Sequence, residues 1–122
     1  PPPVVGPFGR RGWDEAANRW GVCLTAAGAA LVEGYRADLA AAGVDALWPG
    51  VRARRPGVWR ACRSARMTAA DVESAAWRGV ARAAAAFDPA RGAQFATYAD
   101  YWVWSTVGRA ARDVMAAEGR AD

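Results

Sequence analysis

The sequence predicts a compact, single all-α domain, and three observations lead to this fold class. Ala, the residue with the highest helix propensity, occupies 32 of the 122 positions. Apolar residues recur at spacings of three and four, the period of a helix buried along one face, and no segment has the pattern of a strand. Residues 1–12 are rich in Pro and Gly and are expected to be an extended lead-in, which leaves 13–122 as the helical domain.

The first half of this domain predicts two consecutive helices. Asp14 can cap a helix that runs to about Thr25. A second helix is expected from about Ala26 to Ala42, and Gly43 supplies its end. The apolar positions that share one face of the second helix are Leu24, Ala27, Leu31, Tyr35 and Leu39.

The middle of the chain predicts a break and two further helices. The break is at Trp48–Gly50, and Pro56 begins a helix that extends to about Ala65. Thr68 and Asp71 have the spacing of a capping box, so they should open a helix through about Ala86. The residues expected on its inward face are Val72, Ala76, Val80, Ala83 and Phe87.

A turn at Asp88–Gly92 precedes the last helix, which is expected from about Gln94 to Ala117. At about 100° per residue, its core-facing sector contains Phe95, Ala99, Trp102, Thr106, Ala110 and Asp113. A second line contains Tyr98, Tyr101, Ser105, Gly108 and Arg112, while Trp104 should point away from the core. Any globular helix has one apolar face, but a second face with tyrosines, a hydroxyl and an arginine indicates an additional task.

The composition excludes most catalytic and metal-binding chemistry. The chain has no His, which removes the imidazole base and the commonest metal ligand. Cys23 and Cys62 are separated by 38 residues, so we expect a chance buried thiol pair or two unrelated core thiols in a reducing cytoplasm, not a zinc knuckle. The sequence contains no catalytic nucleophile motif and no phosphate-binding motif. We therefore expect that the protein is not an enzyme and that it needs no cofactor and no metal. The chain has no run of 18 apolar residues, so the sequence predicts no membrane-spanning segment.

The positive charge is concentrated in one part of the chain. All 16 basic residues are Arg, and residues 51–112 contain 11 of them against 4 acidic residues. This imbalance indicates an anionic partner. Because arginines beside aromatic rings suit phosphates and splayed bases, the second face of the last helix could bind single-stranded nucleic acid. The alternative is that its rings are simply part of the core, as aromatic stripes usually are.

A segment near the C-terminus resembles a known protein family. Residues 87–103, FDPARGAQFATYADYWV, are similar to region 2 of the sigma-70 family of bacterial RNA polymerase initiation factors, whose pattern is approximately FDPxRGxxFxTYAxxWI. In the preceding helix, Asp71-Val72 and Gly79-Val80 fall where the family has the D-L and G-L of DLxQEGxxGL. The resemblance is strong over 68–113, and Leu31–Tyr35 is similar to the opening helix of the same region.

The resemblance implies a helical domain that docks on the clamp of core RNA polymerase and melts the promoter −10 element. Carried over by position, Tyr98 would line the pocket for a flipped adenine, and Tyr101 and Trp102 would be the aromatic pair at the upstream edge of the bubble. Ser105 and Gly108 would face the last duplex base pairs. The full set of DNA-binding residues is Arg91, Gln94, Thr97, Tyr98, Tyr101, Trp102, Ser105, Gly108, Arg109 and Arg112.

The polymerase-docking surface is expected on the helix that Thr68 opens. Its members are Asp71, Ser74, Ala75, Trp77 and Arg78, which the helical period places outside the core. Trp77 is either an interface anchor or a ring lying over the Pro56–Ala65 helix. The resemblance also implies a cytoplasmic location at the bacterial nucleoid, and it leaves a regulatory protein open as a further partner.

This sequence departs from the family pattern at several positions. The Q-E-G-N run of the family is Ser74-Ala75-Ala76-Trp77 here, and Trp104 stands where a basic residue is expected. The leading hypothesis is a promoter-melting domain that works with core polymerase and captures non-template-strand bases. The alternative is a sigma-derived helical protein-interaction domain, in which Trp77 and Trp104 contact a different partner.

Overall fold

The N-terminal part of the molecule is a small antiparallel sheet. The computed structural model describes residues 4–14, 19–44 and 46–119. The three strands of the sheet are β1 (Val4–Gly6), β2 (Gly9–Asp14) and β3 (Arg19–Leu24). Their order across the sheet is the same as their order along the chain. Gly9 pairs with Leu24 and Gly12 with Gly21, so β2 and β3 form a hairpin in regular register.

This sheet corrects the expectations for the first 25 residues. The helix expected from Asp14 to Thr25 is wrong, since Arg19–Leu24 is a strand, and the extended segment within 1–12 is paired in a sheet. A short alternation of large and small residues, at Trp20–Leu24, was the signal for a strand. The prediction relied on Asp14 as a helix cap, and residues 15–18, which would follow that cap, lie outside the described part of the chain.

The rest of the described chain is helical, and the prediction of a compact, mostly helical domain is confirmed. The five helices are α1 (Ala26–Ala41), α2 (Trp48–Arg54), α3 (Pro56–Ser64), α4 (Ala69–Ala86) and α5 (Phe95–Ala117). The break predicted at Trp48–Gly50 is wrong, because α2 begins there with Pro49 in its first turn, where proline is tolerated. A single 3-10 turn, Pro89–Arg91, connects α4 to α5.

The predicted capping box of α4 is confirmed. The amide of Thr68 donates to the Asp71 carboxylate at 2.9 Å, and the amide of Asp71 donates to the Thr68 hydroxyl at 3.1 Å. The backbone and side-chain hydrogen bonds from Thr68 hold the pKa of Asp71 below its usual value. Asp71 therefore fixes the start of the helix that carries most of the core.

The core lies mainly between α4 and α5. The fully or almost fully buried side chains of the two helices include Val72, Ala76, Val80, Ala83, Ala99, Val103, Val107 and Ala111. Four of the five residues predicted inward on α4 are buried, and Phe87 is half-buried. α1, α2 and α3 close the core from the outside, chiefly through Tyr35, Val51 and Cys62.

A polar network joins α1 and α2 to α5. The hydroxyl of Tyr35 donates to one Asp100 carboxylate oxygen at 2.6 Å, and Arg54 donates to the other at 3.1 Å. Burial, with the hydrogen bond and the charge of Asp100, raises the pKa of Tyr35 well above its ordinary value. Tyr35 is therefore a hydrogen-bond donor at any working pH, and it sets the position of α1 on the core.

Both cysteines are free thiols in the structure. Cys62 is buried, and burial raises the pKa of its thiol, whereas Cys23 is exposed on β3. The two thiols are unrelated, as expected, but only Cys62 is a core thiol, and the expectation of a core position is wrong for Cys23. Within the described part of the chain, the helices are too short or too polar for a bilayer crossing.

Candidate nucleic-acid interface

α5 is buried over a wider arc than its sequence indicated. Val103, Val107 and Ala111, which the predicted core sector omitted, are buried. Asp113, which that sector included, is exposed, and Trp102 is half-buried. The difference arises because α5 packs against both α4 and α3. The buried side of the helix therefore lies at a different angle around its axis from the apolar side that the sequence spacing predicted.

The face of α5 that is left outside carries most of the predicted DNA-binding residues. Along it lie Tyr98, Tyr101, Trp102, Ser105, Arg109 and Arg112, at spacings of one, three and four residues. Tyr101 is 57% exposed, Arg109 and Arg112 are exposed, and Tyr98, Trp102 and Ser105 are half-buried. We call these six residues the α5 face.

Gly108 is not part of this face, which corrects its assignment to base-pair recognition. It is buried where α5 approaches α3, and a Cβ there would lie 3.9 Å from a methyl group of Val58. The prediction was wrong for Gly108 because α3 covers this residue. Helical periodicity describes one helix and cannot show which other helix packs against it.

An open groove of about 560 Å³ runs beside Tyr98. Its walls come from the β1–β2 turn, the end of α4 and the 3-10 turn, and they comprise Gly6, Pro7, Arg11, Ala85, Ala86, Phe87, Asp88, Arg91, Ala93 and Tyr98. The Tyr98 ring contacts Phe87 at 5.7 Å between centroids and Trp102 at 6.2 Å. Of the residues expected around a flipped base, Tyr98 and Arg91 line the groove, while Gln94 and Thr97 are exposed outside its lining.

The sheet contributes a site residue that sequence reasoning missed. The guanidinium group of Arg11, on β2, lies over the Trp102 ring at 5.2 Å from its centroid. Arg11 thus extends the α5 face with a cation from another part of the chain. No local signal could have found it, because the contact depends on the sheet packing against α4.

The rings of Tyr101 and Trp102 do not stack on each other, and their role as a pair at the edge of a bubble stays a prediction. They lie at opposite edges of the α5 face, since consecutive helix residues are about 100° apart. Tyr101 instead contacts Trp104 edge to face at 5.2 Å, and Arg55 covers Trp104 at 4.3 Å. Trp104 is half-buried against α2 and is not part of the buried core cluster, so the expectation that it points away from the core is confirmed, although its ring is covered by its own chain.

The predicted polymerase-docking residues do not form one surface. Asp71, Ser74 and Arg78 lie together around a shallow groove with Ala110 and Val114, and Arg78 donates to the Ser74 hydroxyl at 3.1 Å. Ala75 is fully buried, which corrects its assignment as an outward residue. α4 is covered by α1, α5 and the sheet. Its exposed surface is therefore smaller than that of an amphipathic helix that packs on one side only.

Trp77 is also packed against its own chain. Its ring meets the edge of Tyr35 at 6.2 Å and lies under the Arg36 guanidinium group at 4.0 Å. The half-buried ring therefore contacts α1, and neither of the two expected placements, an open anchor or a ring over the Pro56–Ala65 helix, describes it.

Among the described residues, no group of three Cys, Asp or Glu side chains converges in a way that could hold a metal ion. The chain matches no family model, and neither a characterised protein nor a solved structure gives a significant match to it. Its function is therefore inferred from the side chains of the α5 face and from the groove beside Tyr98.

Proposed function

We propose that this chain is a sigma-like promoter-melting domain that works with core RNA polymerase and captures non-template-strand bases on the α5 face. One observation carries the proposal: aromatic and arginine side chains share a partly exposed helix face beside an open groove. The resemblance of residues 68–113 to the sigma-70 family supports the same function.

The groove has the chemistry that a single extruded base requires. Tyr98 supplies an aromatic wall, backed by Phe87, and Arg91 lines the same groove with its side chain 86% exposed. Asp88 lies 3.8 Å from Arg91 and accepts a hydrogen bond from the Ala90 amide, so it orders the turn from which Arg91 projects. Stacking of a base on such a ring contributes about 1–3 kcal/mol.

The alternative of a protein-interaction domain has less support. It used Trp77 and Trp104 as contacts for a partner, and both rings are half-buried beneath arginine side chains of this chain. Polymerase docking is instead proposed for the exposed Asp71, Ser74 and Arg78.

Tyr98→Ala is expected to weaken binding of a short single-stranded oligonucleotide carrying a −10-like element by about 1–3 kcal/mol. Duplex binding should change much less, because a paired base does not reach the groove. Tyr98→Phe keeps the ring and should bind normally. Titration of both DNA forms by fluorescence anisotropy measures the difference, and equal losses on single strand and duplex would count against base capture.

Ser74→Trp is expected to weaken binding to core RNA polymerase tenfold or more, about 1.4 kcal/mol, because the bulky ring obstructs the centre of the docking surface. Binding to single-stranded DNA should fall much less, since Ser74 lies on α4, away from Tyr98, and touches the DNA-binding residues only through its hydrogen bond with Arg78. Ala37→Trp, on the exposed side of α1, is the matched control. Unaltered polymerase binding by Ser74→Trp would remove this surface from the proposal.

A further inference from the structure

Four arginines from three elements lie near the contact between α4 and α5, where Arg78 shares a shallow groove with Ala110, the neighbour of Arg109. Arg11 comes from β2 and lies over the Trp102 ring at 5.2 Å. Arg78 and Arg82 are one turn apart on α4, and Arg109 lies on α5. The two helices are close together here, because Gly79 of α4 packs directly on the backbone at Trp102. We call these four residues the arginine cluster.

The cluster is electrostatically unfavourable without an anion. Arg82 is half-buried, and burial, followed by repulsion from Arg78, Arg109 and Arg11, lowers its pKa. The ion pairs formed among the described residues use other arginines, namely Arg36, Arg54 and Arg91. Like charges that converge beside a half-buried guanidinium group favour a bound polyanion as their counter-charge.

The position of the cluster indicates which polyanion it fits. Trp102 belongs to the α5 face, and the same ring lies under Arg11. A strand whose bases stack on Tyr98 and Trp102 would carry its phosphates along one edge of these rings. The planar guanidinium fork matches phosphate oxygens, and it does so at Arg109 and Arg82 without competition from a neighbouring carboxylate among the described ion pairs.

We infer that the arginine cluster binds consecutive phosphates of the single strand whose bases the α5 face captures. This inference rests on the proposed function, and it assigns Arg11 and Arg82 to nucleic-acid binding. It also gives Arg78, at the border of the docking surface, a second contact. The sheet then has a role in binding, because β2 places Arg11 beside the strand.

Salt dependence of binding tests the inference. Two ligands are compared: a short oligodeoxythymidylate, and an abasic oligomer of the same length that has phosphates but no bases. Arg82→Gln and Arg11→Gln should each reduce the slope of log affinity against log salt by about 0.7, for both ligands. Arg60→Gln, which removes an exposed charge on α3, is the control and should leave the slope nearly unchanged.

The outcomes separate the cluster from base capture. Tyr98→Ala should weaken the thymidylate and leave the abasic oligomer unaffected, so failure of the proposed function appears there alone. Without DNA, Arg82→Gln should keep or raise the thermal midpoint, because it removes a repelled charge, whereas an arginine with only a structural role would lower it. Unchanged slopes for Arg82→Gln and Arg11→Gln, or an equal fall for Arg60→Gln, would overturn the inference.

Discussion

Trp77→Ala is expected to lower the free energy of unfolding by about 3 kcal/mol, the lower end of the range for a large aromatic ring, because Trp77 is half-buried. The loss has two sources. The Tyr35 ring loses an edge-to-face neighbour at 6.2 Å, and Arg36 loses the ring beneath its guanidinium group. Urea denaturation followed by circular dichroism measures the change.

Trp77→Phe is the matched variant, since it keeps a ring against Tyr35 and should recover a large part of the loss. The same experiment distinguishes the structural role from the anchor that the sequence allowed. If Trp77→Ala were as stable as the parent protein and bound core polymerase more weakly, the ring would be an interface anchor, and its contact with α1 would be of little consequence. A stability loss with normal partner binding is the expected result.

The helices could be predicted where their ends are determined by neighbouring residues. α1, α3, α4 and α5 begin and end within one or two residues of the expected positions. The Thr68 capping box and the left-handed Gly92 after the 3-10 turn are local devices, complete within four or five residues. Sequence spacing contains all the information that such devices need.

The sheet was missed although Trp20–Leu24 has a pattern typical of a strand, because the contacts that hold the sheet on the helices come from distant parts of the chain. The amide of Thr25 donates to the carbonyl of Phe8 at 3.1 Å, and the Phe8 ring lies 5.8 Å from that of Phe87. Neither contact has a signature near residue 8 in the sequence. The Pro- and Gly-rich composition indicated an extended segment but not the pairing of that segment.

The candidate site was predictable in part for the same reason. The exposed positions of Tyr101 and Arg112 follow from helical spacing, and the structure places both outside the core, whereas Tyr98 of the same line is half-buried and packs against the core. Ala75 and Gly108 failed because each lies under an element whose position a one-dimensional pattern does not specify. Arg11 was missed altogether, since it joins the α5 face only because the fold places β2 beside Trp102.

Gly79→Val is expected to lower the free energy of unfolding by about 3 kcal/mol, the upper end of the range for overpacking. A Cβ at position 79 would lie 2.7 Å from the Trp102 carbonyl oxygen and 3.0 Å from the Val103 Cα. Both atoms belong to the backbone of α5, so they cannot rotate away as a flexible side chain would. α4 and α5 must then move apart, and the core between them loses contacts.

Gly34→Val is the matched control for this substitution. Gly34 is in the middle of α1, and a Cβ there would meet nothing within 4 Å. Since valine has a somewhat higher helix propensity than glycine, this variant should be as stable as the parent or slightly more stable. Chemical denaturation of both variants separates the effect of the close contact between α4 and α5 from the effect of helix propensity. If Gly79→Val were tolerated as well as Gly34→Val, α4 and α5 would not be in contact at this point. Arg82 and Arg109 would then also be farther apart than the arginine cluster requires.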